Sequence, residues 1–121
     1  MSAANQPGRT VAMGQNEAVS GGRDSVDAPF GKALAKSGAA SPSIVGLTAD
    51  LGKYTDLHPF RDAFPDRFFN VGMAEQNLIA VAAGLARTGK VPFATTYGVF
   101  ATRRAYDFVA KPFQTAELRL L

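Results

Sequence analysis

The run Ile44-Val45-Gly46-Leu47-Thr48 constrains the fold of this chain more than any other feature. A strand with one wet face alternates apolar and polar residues, whereas a continuous apolar run has to be covered on both sides. Two further runs, Phe68–Val71 and Val91–Thr96, have the same strand character, the latter with Pro92 near its start, where a proline does least harm. Stretches with helical spacing lie between them. Strands alternating with helices predict an α/β domain, an open parallel sheet with helices on both faces.

End signals place the helices. Ala28-Pro29-Phe30 opens the first, with Phe30, Ala33 and Leu34 on one face and Gly38 as a stop. A short helix over Phe60–Phe64 is closed by Pro65-Asp66, which leaves His58 in a loop. From Ala74, the residues Leu78, Val81, Ala82 and Leu85 recur at helical intervals, with Arg87 in the last turn and Gly89 as the C′ residue. Ala80, Ala83, Gly84 and Ala86 make that helix slim enough for another backbone to approach. A further helix is expected over Val99–Ala110, interrupted by Pro112, and Glu117–Leu121 reads as a fourth strand on which the chain stops. Residues 1–25, rich in Gly, Ser, Ala, Asn and Gln, are expected to form a mobile tail ahead of one domain over residues 26–121, a domain incomplete at its C-terminus.

Composition excludes several classes of function. There is no cysteine and a single histidine, so disulfides, thiolate metal sites, a cysteine nucleophile and a histidine cluster are ruled out. The net charge of +3 is spread as single basic residues apart from Arg103-Arg104, which gives no nucleic-acid stripe. No apolar run spans a bilayer and no signal peptide is evident, so no membrane partner is expected and a cytoplasmic location is the default.

Ligands of open α/β sheets bind at the carboxyl ends of the strands. Asp50 ends the first strand, Gly72–Glu75 follow the second, and Tyr97 and Phe100 follow the third. Two carboxylates and two rings on one rim suit a flat, nitrogen-rich ring, with an aromatic wall to stack on and an acid for a ring nitrogen. The phosphate loops G-x-G-x-x-G and G-x-x-x-x-G-K and the G-x-S-x-G elbow are absent. A lone first-turn acid such as Glu75 would by itself mean little, because a helix N-terminus favours any carboxylate.

Three blocks carry a resemblance: Thr48-Ala49-Asp50-Leu51, Phe64 to Gln76 with its Gly72-Met73-Ala74-Glu75-Gln76 core, and Pro92 to Asp107. Together they resemble the flavodoxin-like pyrimidine-binding domain of transketolase-type thiamine diphosphate enzymes, above all the separate C-terminal-half subunit of split transketolases. The resemblance covers about Ala28 to Ala110. 1-Deoxyxylulose-5-phosphate synthase is a near neighbour, but there a histidine usually follows the Glu-Gln pair, where this chain has Asn77.

The resemblance implies that Glu75 hydrogen-bonds N1′ of the cofactor's aminopyrimidine. A proton shared there favours the imino tautomer, whose exocyclic nitrogen takes the proton from the thiazolium C2. It implies cofactor contacts from Asp50, Met73, Glu75, Tyr97 and Phe100, with Met73 and the rings burying the acid. Arg103 and Arg104 read as a solvated face, and Tyr106 and Asp107 as packing and surface residues.

The family's Gly-Asp-Gly…Asn element for diphosphate and magnesium is absent from this sequence. The expected partner is therefore an N-terminal-half subunit that holds the magnesium, with self-association across the pyrimidine domain and sugar phosphates as substrates. Family positions for a phosphate-binding arginine and serine are Val26 and the Lys53-Tyr54-Thr55 region here. The implied activity is two-carbon ketol transfer. The alternatives are another enzyme of the same cofactor class, of deoxyxylulose phosphate synthase or 2-keto acid dehydrogenase type, and a truncated, non-catalytic interaction module.

Overall fold

The computed structural model describes residues 27–115. The expected tail and the expected strand at Glu117–Leu121 lie outside them. The elements run α1 (Pro29–Ala40), β1 (Ile44–Thr48), α2 (His58–Ala63), β2 (Phe68–Asn70), α3 (Glu75–Arg87), β3 (Val91–Thr95) and α4 (Tyr106–Thr115). All pairing is parallel, in the order β2-β1-β3, with Gly46 opposite both Phe68 and Phe93. Every residue of the central strand β1 is buried, as a strand covered on both faces requires.

The two faces carry separate cores. On one, Ile44 packs with Leu34 of α1 and with Leu57 and Phe60, flanked by Phe64, Phe68 and Phe93. On the other, Val45, Leu47 and Ala49 pack with Leu78 of α3, flanked by Val71, Val81, Ala82 and Leu85. The alternation of β1 side chains divides them, and helices cover both faces of the sheet.

Several expectations are corrected here. The buried face of α1 is Gly31, Leu34 and Gly38, while Phe30 is 38% exposed. Gly38 does not stop the helix, which runs on to Ala40. It is a gap for aromatic rings: a Cβ there would lie 2.8 Å from Phe60 and 3.0 Å from Phe64. At Gly31 a Cβ would run into the Asp56 carbonyl and the Pro59 ring. The glycines let α2 approach α1 closely, so the inner face is set by missing side chains.

His58 is the first residue of α2 and not a loop residue. The expected helix over Val99–Ala110 is divided into a π-helical turn, Phe100–Arg104, and α4, which continues through Pro112. A proline inside a helix removes one backbone bond and its ring crowds the carbonyl four residues before it, so α4 bears a local cost at Pro112.

Arg67 ties the amino edge of the sheet together. Its guanidinium donates to the carbonyls of Gly38 (3.0 Å), Ser41 (3.1 Å) and Ile44 (3.4 Å) and lies 3.8 Å from the Phe64 ring centre. It therefore supplies a positive charge at the C-terminus of α1, where orphan carbonyls need partners. At the end of α3, Lys90 donates to Leu85 O and Gly89 to Ala86 O, with Gly89 at φ 84°, the C′ glycine expected from the sequence.

Candidate functional site

Glu75 is the first residue of α3 and is only 3% exposed. The turn leading to it uses Gly72 at φ 73°, a conformation that favours glycine, and the Ala74 amide donates to Gly72 O at 2.7 Å. The buried carboxylate has one cationic partner among the described residues. Arg104 Nη1 donates to both of its oxygens, at 3.0 Å and 3.1 Å.

The Arg104 guanidinium lies 4.0 Å from the centre of the Phe100 ring, and Phe100 packs against Tyr97 with ring centres 5.8 Å apart. Acid, guanidinium and two rings thus form one chain of contacts. The local sequence explains how they meet. After β3 ends, Tyr97 O accepts the amides of both Phe100 and Ala101, and the π-helical turn that follows changes the direction in which its last side chain leaves the backbone. Gln76 Nε2 then donates to Arg104 O at 3.2 Å, fastening the turn to α3.

Asp50 belongs to a different group. It is exposed, at φ 59°, and its amide donates to Asn70 Oδ1 while its own Oδ1 accepts from Asn70 Nδ2. Asn70 Oδ1 also accepts the Gly72 amide, so one side chain ties the end of β1 to the turn before α3. A non-glycine residue in left-handed conformation is held there by such over-determination. Met73 is 82% exposed, which corrects the expectation that it buries the acid: the Glu75 side chain is enclosed without it. Beside Tyr97, Thr96 Oγ1 is buried without a hydrogen-bond partner among the described residues.

Of the residues singled out from the sequence, Glu75, Tyr97 and Phe100 are brought together, Asp50 is held by Asn70, and Met73 projects outward. Arg104 and Asn70 were missed. Arg104 had been read as a solvated face; its side chain is half exposed, yet its tip pairs with a buried acid. Its position four residues after Phe100 was the available signal, since that spacing lets two side chains share a helical face. Among the described residues no three His, Asp or Glu side chains cluster in a way that would hold a metal ion, and no helix is long and apolar enough to cross a membrane.

The profile of a known domain, described as "Transketolase, pyrimidine binding domain", matches residues 25–119. The chain belongs to the transketolase family. It is 61% identical over 82 residues to a transketolase family protein of Sinorhizobium fredii, covering 68% of this chain and 24% of the relative. A transketolase C-terminal section from Methanocaldococcus jannaschii is 45% identical over 80 residues, 66% of this chain and 25% of that protein. A 1-deoxy-D-xylulose-5-phosphate synthase of Halothermothrix orenii is also 45% identical over 80 residues, covering 66% of this chain and 12% of the enzyme.

Among solved structures, a split-gene transketolase described as an inactive β4 tetramer matches with a TM-score of 0.59 and 56% identity, over 65% of this chain and 26% of that one. The chain therefore spans about a quarter of the length of its transketolase relatives. Members of the transketolase and deoxyxylulose phosphate synthase families use thiamine diphosphate.

Proposed function

We propose that this chain binds the aminopyrimidine of thiamine diphosphate, with Glu75 as the catalytic acid against a ring nitrogen, in a transketolase-type enzyme completed by an N-terminal-half subunit. The observation that carries this reading is a carboxylate 3% exposed at the start of a helix, one guanidinium away from two rings packed at a tilt. Burying a charged group is costly unless something compensates it, and here one half-exposed guanidinium is what compensates the acid. The donor set fits the ring: Glu75 offers a proton or an acceptor to a heteroaromatic nitrogen, and Tyr97 and Phe100 offer apolar surface to its face.

When bound, thiamine diphosphate would supply the chemistry that moves a two-carbon unit between sugar phosphates. Glu75 holds a proton at the ring nitrogen, the aromatic segment orients the ring and excludes water, and Asn70 keeps the turn before α3 in shape. Asp50 and Met73 are proposed to contact the cofactor from the rim. Diphosphate and magnesium would be held by the partner subunit. Self-association of the chain alone draws support from the split-gene neighbour, whose description is of an inactive β4 assembly.

The test is Glu75→Gln and Glu75→Ala in the assembled pair. Both should abolish activation of thiamine diphosphate, and near-normal turnover would refute the role. Identity of 45% to deoxyxylulose phosphate synthases supports a second reading, a subunit that takes pyruvate as donor. Turnover of ketose phosphate against pyruvate separates the two.

A further inference from the structure

We propose that Arg104 is a positioning residue for Glu75, and that through its stacking on Phe100 it couples the acid to the aromatic wall. The inference rests on the reading of Glu75 as the acid that meets a ring nitrogen. A glutamate side chain at the first residue of a helix has three rotatable bonds and no neighbour that fixes its terminal plane. Here Nη1 sits between the two oxygens at nearly equal distances, 3.0 Å and 3.1 Å, which fixes where the carboxylate stands.

The guanidinium is itself held. Its Cζ lies 4.0 Å from the centre of the Phe100 ring, and Gln76 Nε2 clamps the carbonyl of Arg104 to the first turn of α3. Phe100 therefore determines where Nη1 stands, Nη1 determines where the acid stands, and Tyr97 buttresses the ring. A ring seated against this wall would be registered to the acid by a single rigid segment. Lysine does not replace the arrangement, because an ammonium is a point charge on a flexible stem and does not pack over Phe100 as a planar guanidinium does.

The first arm of the test needs only the chain. In urea unfolding, Arg104→Met should lower the folding equilibrium constant about tenfold, and by less than about threefold in a Glu75→Gln background. Additive effects would overturn the pairing. The second arm uses the complex with the N-terminal-half subunit and thiamine diphosphate. Arg104→Lys, which keeps the charge and so most of the stability, should lower kcat about tenfold to a hundredfold while the cofactor KM changes less than about threefold. Retention of kcat within about twofold would overturn the positioning role. Should the unsubstituted complex show no response to thiamine diphosphate, the functional reading falls, and the urea cycle still decides whether Arg104 fixes Glu75.

Discussion

Placing a methyl group at Gly46 is expected to destabilise the chain through one clash whose size follows from the coordinates. Gly46 lies mid-strand in β1, and a Cβ there would stand 2.9 Å from Phe60 Cδ1 and 3.1 Å from Cε1. Carbon atoms in good contact are about 3.5–4.0 Å apart, so the ring has to retreat by roughly 0.6 Å or more. It has nowhere to go. Phe60 is fully buried, and its far edge already faces Gly38, where a Cβ would be 2.8 Å away.

Overpacking of this kind costs about 1–3 kcal/mol, and replacing a strand glycine by alanine returns about 0.5–1 kcal/mol of backbone entropy. The net loss for Gly46→Ala is thus about 1–2 kcal/mol, read as a lower midpoint at unchanged m-value in urea unfolding followed by circular dichroism. Phe60→Leu alone loses stability by leaving space. Combined with Gly46→Ala it should lose at least about 1 kcal/mol less than the sum, because the methyl fills what the ring vacated. Additivity within about 0.5 kcal/mol would refute the claim that the two sites share one volume.

Arg67→Met should cost about 2–3 kcal/mol, since three carbonyls at the α1–β1 junction lose a charged donor, with Arg67→Lys recovering part of it in the same melts. Gly72→Ala should cost about 1 kcal/mol from its positive φ alone, because no atom lies within 4 Å of the added methyl; a much larger loss would point to a contact absent from the isolated chain. Gly84 is exposed within α3, with equally open space around it, so Gly84→Ala should stabilise the isolated chain by about 0.5–1 kcal/mol. A loss of stability there, at concentrations where the chain self-associates, would locate a backbone of another copy against that face.

Strands and layers were legible because their signal is local. The run Ile44–Thr48 has no polar residue positioned to face water until its end, and the structure buries all of it. The C′ role of Gly89 and the first-turn placement of Glu75 were legible for the same reason: helix ends are written in a few adjacent residues. The buried face of α1 was not. Hydrophobic periodicity chose Phe30 and Ala33, but the packed face is built on Gly31 and Gly38, and a glycine contributes nothing to an apolar count. The division of the last helix was equally hidden, since no residue between Phe100 and Arg104 forbids a regular α-turn.

The amino-acid order by itself determined which segments must be covered, how strands and helices alternate, and where an acid follows a glycine turn, because backbone preferences and burial demands act over a few residues. Only the tertiary structure decided that this acid meets Arg104, twenty-nine positions along the chain, and that Asn70 joins the ends of two strands. Those pairings depend on how α3 and the π-helical turn lie across the same sheet, and a charge carries no mark of its partner until the backbone has brought the two within reach.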